Sequence, residues 1–189
     1  MLDVTKEEIL FMSNKNNNLQ NRITKECIFT ALLILMEKKN FKEISITEIT
    51  KKAGVSRMAF YRNYNSMEDI ITSYLDELFE DYSSHILNHA KPYDYESVRL
   101  CFSYFRKHEK LITNLVNSDL TSLILDSAVV FLHSFSKNIV CEKEYSPEKE
   151  KYNIEFLAGG FYKVLMEWAK SGLRESDESM AEIVYDLIK

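Results

Sequence analysis

The chain has 189 residues, of which 46% are hydrophobic, enough for one domain or two small ones with an apolar core. Only four Gly and two Pro are present, which argues against an all-β protein with many tight turns and favours long helices joined by short polar loops. The net charge is −5, yet residues 1–66 carry 11 Lys or Arg against 7 Asp or Glu, so a basic N-terminal part precedes an acidic remainder.

Residues 1–21 are predicted to form an N-terminal arm that is either flexible or contains a short extra helix. The segment Ser13–Asn21 is polar and rich in Asn, which is typical of an arm or a linker. Ile28, Leu32 and Leu35 then fall at helical spacing and predict a first helix over about 22–39.

Two short, capped helices follow around a tight turn. Ser45-Ile46-Thr47-Glu48 has the pattern of a capping box, which predicts a second helix to about residue 53. Gly54 ends this helix, and Ser56 caps a third helix over about 57–64. Ser66-Met67-Glu68-Asp69 repeats the cap pattern and opens a long helix to about residue 88.

The C-terminal part is predicted to be helical throughout. Pro92 breaks the chain, and further helices are predicted over about 95–107, 109–117, 119–140, 147–171 and from 177 to the end. The apolar segment Leu123–Phe135 predicts a helix buried at the centre of the C-terminal core. The whole pattern is all-α, with about nine helices and no convincing strand.

The helices on either side of Gly54 have the pattern of a helix-turn-helix, in which the second helix enters the major groove of DNA. Here the sequence resembles the TetR/AcrR family of transcriptional regulators: Ile49–Ser56 matches its turn, Phe60–Tyr64 its aromatic-rich recognition helix and Glu68–Ile70 the charged start of its next helix. The resemblance covers about residues 22–75. A helical domain that uses the pattern for packing alone, with ordinary solvated charge at its surface, is the alternative.

The resemblance implies double-stranded DNA as a partner. Arg57 is the best candidate to read a guanine, and Tyr61 corresponds to a phosphate-contacting tyrosine. The implied DNA-binding residues are Ser45, Thr47, Lys51, Lys52, Ser56, Arg57, Met58, Tyr61, Arg62 and Asn63. Met67 stands where the family usually has a Lys, so one expected phosphate contact is missing. An arm that enters the minor groove is a further alternative for residues 1–21, supported only by Lys15 and Arg22.

The C-terminal domain is dense in aromatic residues, and the resemblance implies that it binds an effector and dimerises. We predict a pocket for a small apolar or aromatic effector, with simple core packing as the alternative, lined by Phe102, Phe105, Phe131, His133, Phe135 and Tyr162. Gly159-Gly160 within a helix costs stability and favours close approach by another helix, in a second chain or, alternatively, in the same chain. The predicted homodimer interface contains Phe156, Gly159, Gly160, Lys163, Met166, Met180, Ile183, Val184 and Leu187.

Catalytic, metal and membrane functions find no support in the sequence. It contains no nucleophile elbow, P-loop or dinucleotide-binding glycine pattern. His85 and His89 are four residues apart, but no Glu or Cys joins them nearby. We therefore predict no enzyme activity, no metal and no cofactor. The three Cys form no CxxC pattern and the longest apolar run is too short to span a bilayer, which predicts a cytoplasmic protein.

These observations predict three parts: the arm over 1–21, a helix-turn-helix DNA-binding domain over 22–66, and a helical regulatory and dimerisation domain over 67–189. The predicted function is that of a dimeric, sequence-specific transcriptional regulator, a repressor released by a small effector. The alternative is a ligand-independent activator or co-regulator that acts through protein contacts of its C-terminal domain.

Overall fold

The computed structural model describes residues 6–89, 94–138 and 146–188, and within these ranges the chain forms helices and no strands. The predicted all-α class is confirmed. The helices are α1 (Lys6–Met36), α2 (Ile46–Ala53), α3 (Arg57–Asn63), α4 (Glu68–His89), α5 (Tyr95–Lys107), α6 (Glu109–Asn117), α7 (Ser122–Asn138), α8 (Pro147–Lys170) and α9 (Asp177–Ile188), with a short 3-10 turn at Phe41–Glu43.

The chain divides into two compact units, unit 1 over Met1–Ile70 and unit 2 over Ile71–Lys189. The division falls inside α4, whereas the sequence placed it before that helix, between residues 66 and 67. Ile70 and Ile71, on either side of the division, are both fully buried. Helix α4 therefore contributes residues to both units.

Unit 1 is built on α1, which packs against α2 and α3. Ile28 and Leu32 of the predicted apolar stripe have no exposed surface, and neither do Ile49 of α2 and Phe60 of α3. Burying a side chain of this size stabilises the fold by about 1.5–3 kcal/mol. This small core holds the two short helices of the helix-turn-helix in place.

Helix α1 begins at Lys6 and continues through the Asn-rich segment, so the predicted division between an arm over 1–21 and a helix from residue 22 is not observed. Asn is a poor helix former, but once a helix is nucleated each further residue adds a hydrogen bond. Asn18–Ile23 are exposed on all sides of the helix, outside the core of unit 1. Residues 1–5 of the predicted arm lie outside the described residues.

Unit 2 is organised around the pairing of α5 with α9 and of α8 with α6 and α7. Arg106 of α5 ties the first pair together. Its Nε donates to Asp177 Oδ1 at 2.6 Å, and its terminal nitrogens donate to the carbonyls of Leu173 and Glu175. The guanidinium carbon also lies 4.9 Å from the centre of the Trp168 ring. One side chain thus joins α5 to the end of α8, the connecting loop and the start of α9.

Helix α7 differs from its prediction at its start and in its burial. It begins at Ser122, because Asp119 adopts a left-handed conformation (φ +56°) in the preceding turn and does not cap the helix. Ile124 and Phe135 are buried, but Val130 is 67% exposed. The predicted position at the centre of the C-terminal core was therefore wrong for the side of the helix that carries Val130. Residues 139 and 140 of the predicted helix lie outside the described residues.

Candidate nucleic-acid interface and effector cavity

The turn between α2 and α3 depends on the backbone conformation of Gly54. Its φ of +69° lies in the left-handed region that favours Gly, and its N–H donates to the carbonyls of Thr50 and Lys51. Ser56 is extended, and its Oγ accepts a hydrogen bond from the Ala59 N–H at 3.1 Å. The third helix thus starts directly after the turn with a capped N-terminus.

Helix α3 has one buried and one exposed face. Phe60 is fully buried, and Tyr64, just beyond the helix, is 5% exposed, whereas Met58 is 73% and Tyr61 48% exposed. The guanidinium carbon of Arg57 lies 5.9 Å from the centre of the Tyr61 ring, within cation–π distance. The exposed face presents a cation and a phenol side by side.

The structure brings the predicted DNA-binding residues together on unit 1, and those that are exposed are Ser45, Thr47, Lys51, Lys52, Ser56, Arg57, Met58, Tyr61 and Arg62. Asn63 differs, because it is half-buried and its Nδ2 donates to the Ala59 carbonyl at 2.8 Å. Part of its amide is therefore committed to the helix. Met67 is also half-buried. The exposed set supplies cations and hydroxyls, the groups that donate to phosphate oxygens and base edges.

The hydroxyl of Ser45 is occupied by the cap of α2. Its Oγ accepts from the Glu48 N–H at 3.3 Å and donates to Glu48 Oε2 at 2.8 Å, while Glu48 Oε1 accepts from Lys39 Nζ at 2.7 Å. The hydrogen bonds from Lys39 and Ser45 lower the pKa of Glu48 to about 2. A phosphate contact through the Ser45 hydroxyl would therefore compete with this cap. The sequence predicted both the capping box and the DNA contact of Ser45, but not their competition.

Unit 2 contains an apolar cavity of about 100 Å³ that is lined by residues of α4, α5, α7 and α8. Five of the six predicted pocket residues line it, namely Phe102, Phe105, Phe131, Phe135 and Tyr162. His133 does not. It lies two residues from both Phe131 and Phe135, and residues two apart lie on opposite sides of a helix.

Helix α4 provides a part of the cavity that was not predicted from the sequence. Phe79, Tyr82 and Ile86 line it, and their spacing of three and four residues was a readable helical pattern. The rings of Phe79 and Phe131 stack with their centres 5.0 Å apart. Helix α4 is thus one wall of the cavity.

The polar groups at the cavity are bonded within the protein. The Tyr82 hydroxyl donates to the Ser97 carbonyl at 2.9 Å, and the Tyr162 and Thr121 hydroxyls are 2.9 Å apart. Burial raises the pKa of the Cys101 thiol to about 12, so this thiol stays uncharged and unreactive at neutral pH. What the cavity offers a ligand is mainly apolar surface.

The predicted dimer residues fall into two groups. Met166, Met180 and Val184 are buried inside unit 2, because α9 turns its apolar stripe towards α5 and α8 turns Met166 inward. Their assignment to a surface between chains is therefore corrected. The rest are exposed or half-buried, namely Phe156, Gly159, Gly160, Lys163, Ile183 and Leu187. Tyr152, one helical turn before Phe156, is 68% exposed and was missed.

The paired glycines of α8 have open space beside them. A Cβ placed on Gly159 or Gly160 would meet no atom of the chain within 4 Å. Close packing inside one chain, the alternative raised from the sequence, therefore does not account for these residues.

Among the described residues, no group of three or more His, Cys, Asp or Glu is arranged to hold a metal ion, and no helix is long and apolar enough to cross a membrane. Cys27 and Cys101 are free thiols, and Cys141 lies outside the described residues.

Two family models match this chain. A model of the C-terminal region of transcriptional regulators matches residues 94–189, and a model of bacterial regulatory proteins of the tetR family matches residues 28–74. No curated protein sequence matches significantly.

Several solved structures have a similar fold. A TetR transcriptional regulator from Streptococcus agalactiae 2603V matches with a TM-score of 0.63 and 18% identity over 93% of this chain and 99% of its own. The dihydroxyacetone kinase operon activator DhaS matches with a TM-score of 0.57 and 18% identity over 87% of this chain and 93% of its own. The fatty acid degradation regulator FadR from Bacillus halodurans matches with a TM-score of 0.57 and 17% identity over 87% of this chain and 93% of its own. At these identities the likeness is one of fold.

Proposed function

The chain belongs to the TetR family of bacterial regulatory proteins, which are DNA-binding transcriptional regulators, and we propose that it is a homodimeric repressor whose DNA binding ends when a small apolar or aromatic effector enters the cavity of unit 2. The observation that carries this proposal is the position of α4. The helix starts in unit 1 at Glu68, and its later residues Phe79, Tyr82 and Ile86 line the cavity. An effector that displaces these side chains acts on a helix that is shared with the DNA-binding unit.

Effector release requires a difference in affinity between two states. A ligand that binds the DNA-competent and the released arrangement equally well shifts nothing. We propose that the released arrangement offers more room beside Phe79 and Tyr82, so that the effector binds it better. The uncharged lining of the cavity favours a ligand whose buried part is apolar or aromatic.

For DNA, we propose that α3 enters the major groove. Arg57 reads a guanine through its guanidinium and Tyr61 donates its hydroxyl to a phosphate, because both are exposed on the same face of α3. Lys51 and Lys52, exposed in the last turn of α2, add contacts with the phosphate backbone. Since its proposed partner is bacterial DNA, the protein acts in the cytoplasm.

For the homodimer, we propose that α8 and α9 of two chains form a four-helix contact. Phe156 and Leu187 are 74% and 73% exposed and Ile183 is 49% exposed, which is unusual for large apolar side chains grouped on two helices. Gly159 and Gly160 leave room for a partner helix to approach. A symmetric pair would place two recognition helices in successive major grooves of a pseudo-palindromic site.

The DNA-binding part of the proposal is tested by selecting binding sites from random duplexes with the full-length chain. Arg57→Ala is expected to cost about 1–3 kcal/mol in binding and to relax the choice of base at one position. Tyr61→Phe is expected to weaken binding to all sequences alike, as the loss of a phosphate contact does. Lys107→Ala, an exposed residue of unit 2, serves as the control. Unchanged binding by both α3 variants would show that the recognition helix has been misassigned.

The effector part is tested with two substitutions on α7. Ala128 lines the cavity and Val130 is 67% exposed, so Ala128→Phe fills the cavity whereas Val130→Phe adds a ring outside it. Wild type and Val130→Phe should release DNA when a panel of small hydrophobic compounds is added, and Ala128→Phe should not. Release from Ala128→Phe at the same effector concentration would refute the site.

The dimer part is tested by sedimentation. Gly160→Leu should shift the chain from dimer to monomer, because its side chain occupies the space left for the partner helix. The matched control is Lys110→Leu, which places the same side chain at an exposed position of α6 and should leave the dimer intact. A Gly160→Leu chain that remains dimeric would place the interface elsewhere.

A second candidate function is an activator that works without an effector through protein contacts. The observation that favours it is the similarity in fold to DhaS, which is an operon activator. Transcription of a reporter under the selected site separates the two. A repressor lowers transcription and an activator raises it.

A further inference from the structure

Helix α1 carries a polar surface outside the helix-turn-helix. Residues 9–25 contain three Lys or Arg, six Asn or Gln and no Asp or Glu. Cations pair with DNA phosphates, and the amides of Asn and Gln bond to phosphates, sugars and base edges. The composition of this stretch is therefore complementary to DNA in charge and in hydrogen bonding.

This part of α1 gains little stability from unit 1. Asn18–Ile23 are all exposed, which covers more than one full helical turn, and the first buried side chain described in α1 is Ile28. Asn lowers helix stability relative to Ala, and a helix without tertiary contacts is marginal in water. A partner that contacts this surface would hold the segment in its helical form.

One face of the exposed segment is continuous with Lys25, which lies beside Tyr64 at the end of the recognition helix. Asn18, Arg22 and Lys25 are spaced by four and three residues, so they lie on the same side of α1. The Lys25 Nζ is 5.9 Å from the centre of the ring of Tyr64, the residue that follows α3. Arg22 pairs with Glu26 at 3.6 Å, but both side chains are largely exposed, and such pairs are weak enough for a phosphate to replace them.

We propose that Asn18, Arg22 and Lys25, which we call the α1 track, contact DNA that flanks the site bound by α3, together with Lys15, which continues the same spacing in the sequence. This inference rests on the proposed DNA-binding function of unit 1. At 1.5 Å per residue, the track from Lys15 to Lys25 spans roughly 15 Å, close to half a turn of DNA. The track therefore lengthens the footprint beyond the major-groove site.

The test compares the full-length chain on two duplexes, the selected site alone and the same site with roughly one helical turn of DNA added on each side. The variant Lys15→Ala/Arg22→Ala removes two cations and leaves Lys25 on the Tyr64 ring. The control Lys107→Ala/Arg174→Ala removes the same charges from exposed positions of unit 2. Circular dichroism checks that all three chains are folded.

Wild type and control should bind the longer duplex more tightly than the short one. The track variant should lose this gain, by about fivefold for each phosphate contact at physiological salt, and its slope of log K against log salt should fall by about 0.9 per contact. On the short duplex, the three chains should bind alike.

Two results would overturn the inference while the proposed function stands. One is site-specific binding by wild type with no gain from the flanks and no change in the track variant. The other is a change in the oligomeric state of the track variant without DNA, which would make a second copy of the chain the partner of this surface. If wild type selects no site at all, the proposed function itself fails.

Discussion

Replacing Gly54 with Ala tests whether backbone conformation alone sets the turn of the helix-turn-helix. A Cβ at Gly54 would meet no atom within 4 Å, so the substitution introduces no clash. Its cost is that of holding Ala at a φ of +69°, about 1–2 kcal/mol, or a five- to thirtyfold change in the folding equilibrium constant. Urea unfolding followed by circular dichroism measures this cost, and the m-value should not change.

Gly160 is the matched control, because it also has open space at the Cβ position but lies within α8. Gly160→Ala should stabilise the chain by about 0.5–1 kcal/mol at concentrations where it is monomeric, since Ala is the better helix former. Gly172, with a φ of +82°, should respond like Gly54. If Gly54→Ala left stability unchanged, or if Gly160→Ala destabilised the monomer, the assignment of cost to φ would be refuted.

Substitutions at three further positions test unit 2. Phe102→Ala, at a position 1% exposed and beside the cavity, should lower the free energy of unfolding by about 3–5 kcal/mol, and a smaller loss in calorimetry would mean that the cavity collapses. Arg106→Ala should cost about 2–4 kcal/mol, because it removes the donor to Asp177 and to the Leu173 carbonyl, whereas the Glu175 carbonyl still accepts from Trp168 Nε1 at 3.2 Å. Arg106→Lys should recover only part of this loss, since an ammonium cannot reproduce the planar fork. The Tyr74 hydroxyl and His108 Nδ1 form a hydrogen bond of 3.0 Å. Burial, with a smaller contribution from the charge of Lys107, lowers the pKa of His108. The unfolded chain then binds the proton more readily, so stability present above pH 6.5 is lost as the pH falls below it, and His108→Gln should flatten this part of a stability–pH curve.

Several helix starts, although not those of α1 and α7, could be predicted from the sequence because capping is local chemistry. Ser45, Ser56, Asp94 and Ser146 each accept a hydrogen bond from an N–H three residues later, as their positions before apolar-periodic segments indicate. The turn at Gly54 is equally local, because few residues other than Gly adopt its φ. The exposed and buried faces of α3 followed from the same short segment.

Properties that depend on neighbouring helices could not be predicted as well. The composition of α7 does not reveal that Val130 faces outward, since an apolar helix can be buried on one side only. Met166 and Val184 fit a dimer surface by type, but contacts within unit 2 bury them. The aromatic residues of the cavity could be named from their density, whereas its α4 wall required knowing which helices pack together.

The size of the cavity sets a condition on the proposed release of DNA by an effector. An effector that shifts the population from 99% in the DNA-competent arrangement to 99% in the released one must bind the released arrangement about ten-thousandfold more tightly, or by about 5.5 kcal/mol. At about 25 cal/mol per Å², this corresponds to roughly 220 Å² of apolar surface buried in one state and not in the other. The cavity of about 100 Å³ is smaller than the roughly 150 Å³ that holds benzene, so a ligand with that much surface must enlarge it. Phe79 and Tyr82 form the wall on the helix shared with unit 1, and in the proposed mechanism their displacement links the size of the ligand to the release of DNA. In a homologous series of hydrophobic compounds, DNA release should therefore begin only above a threshold size, whereas a release that tracks affinity regardless of size would contradict this mechanism.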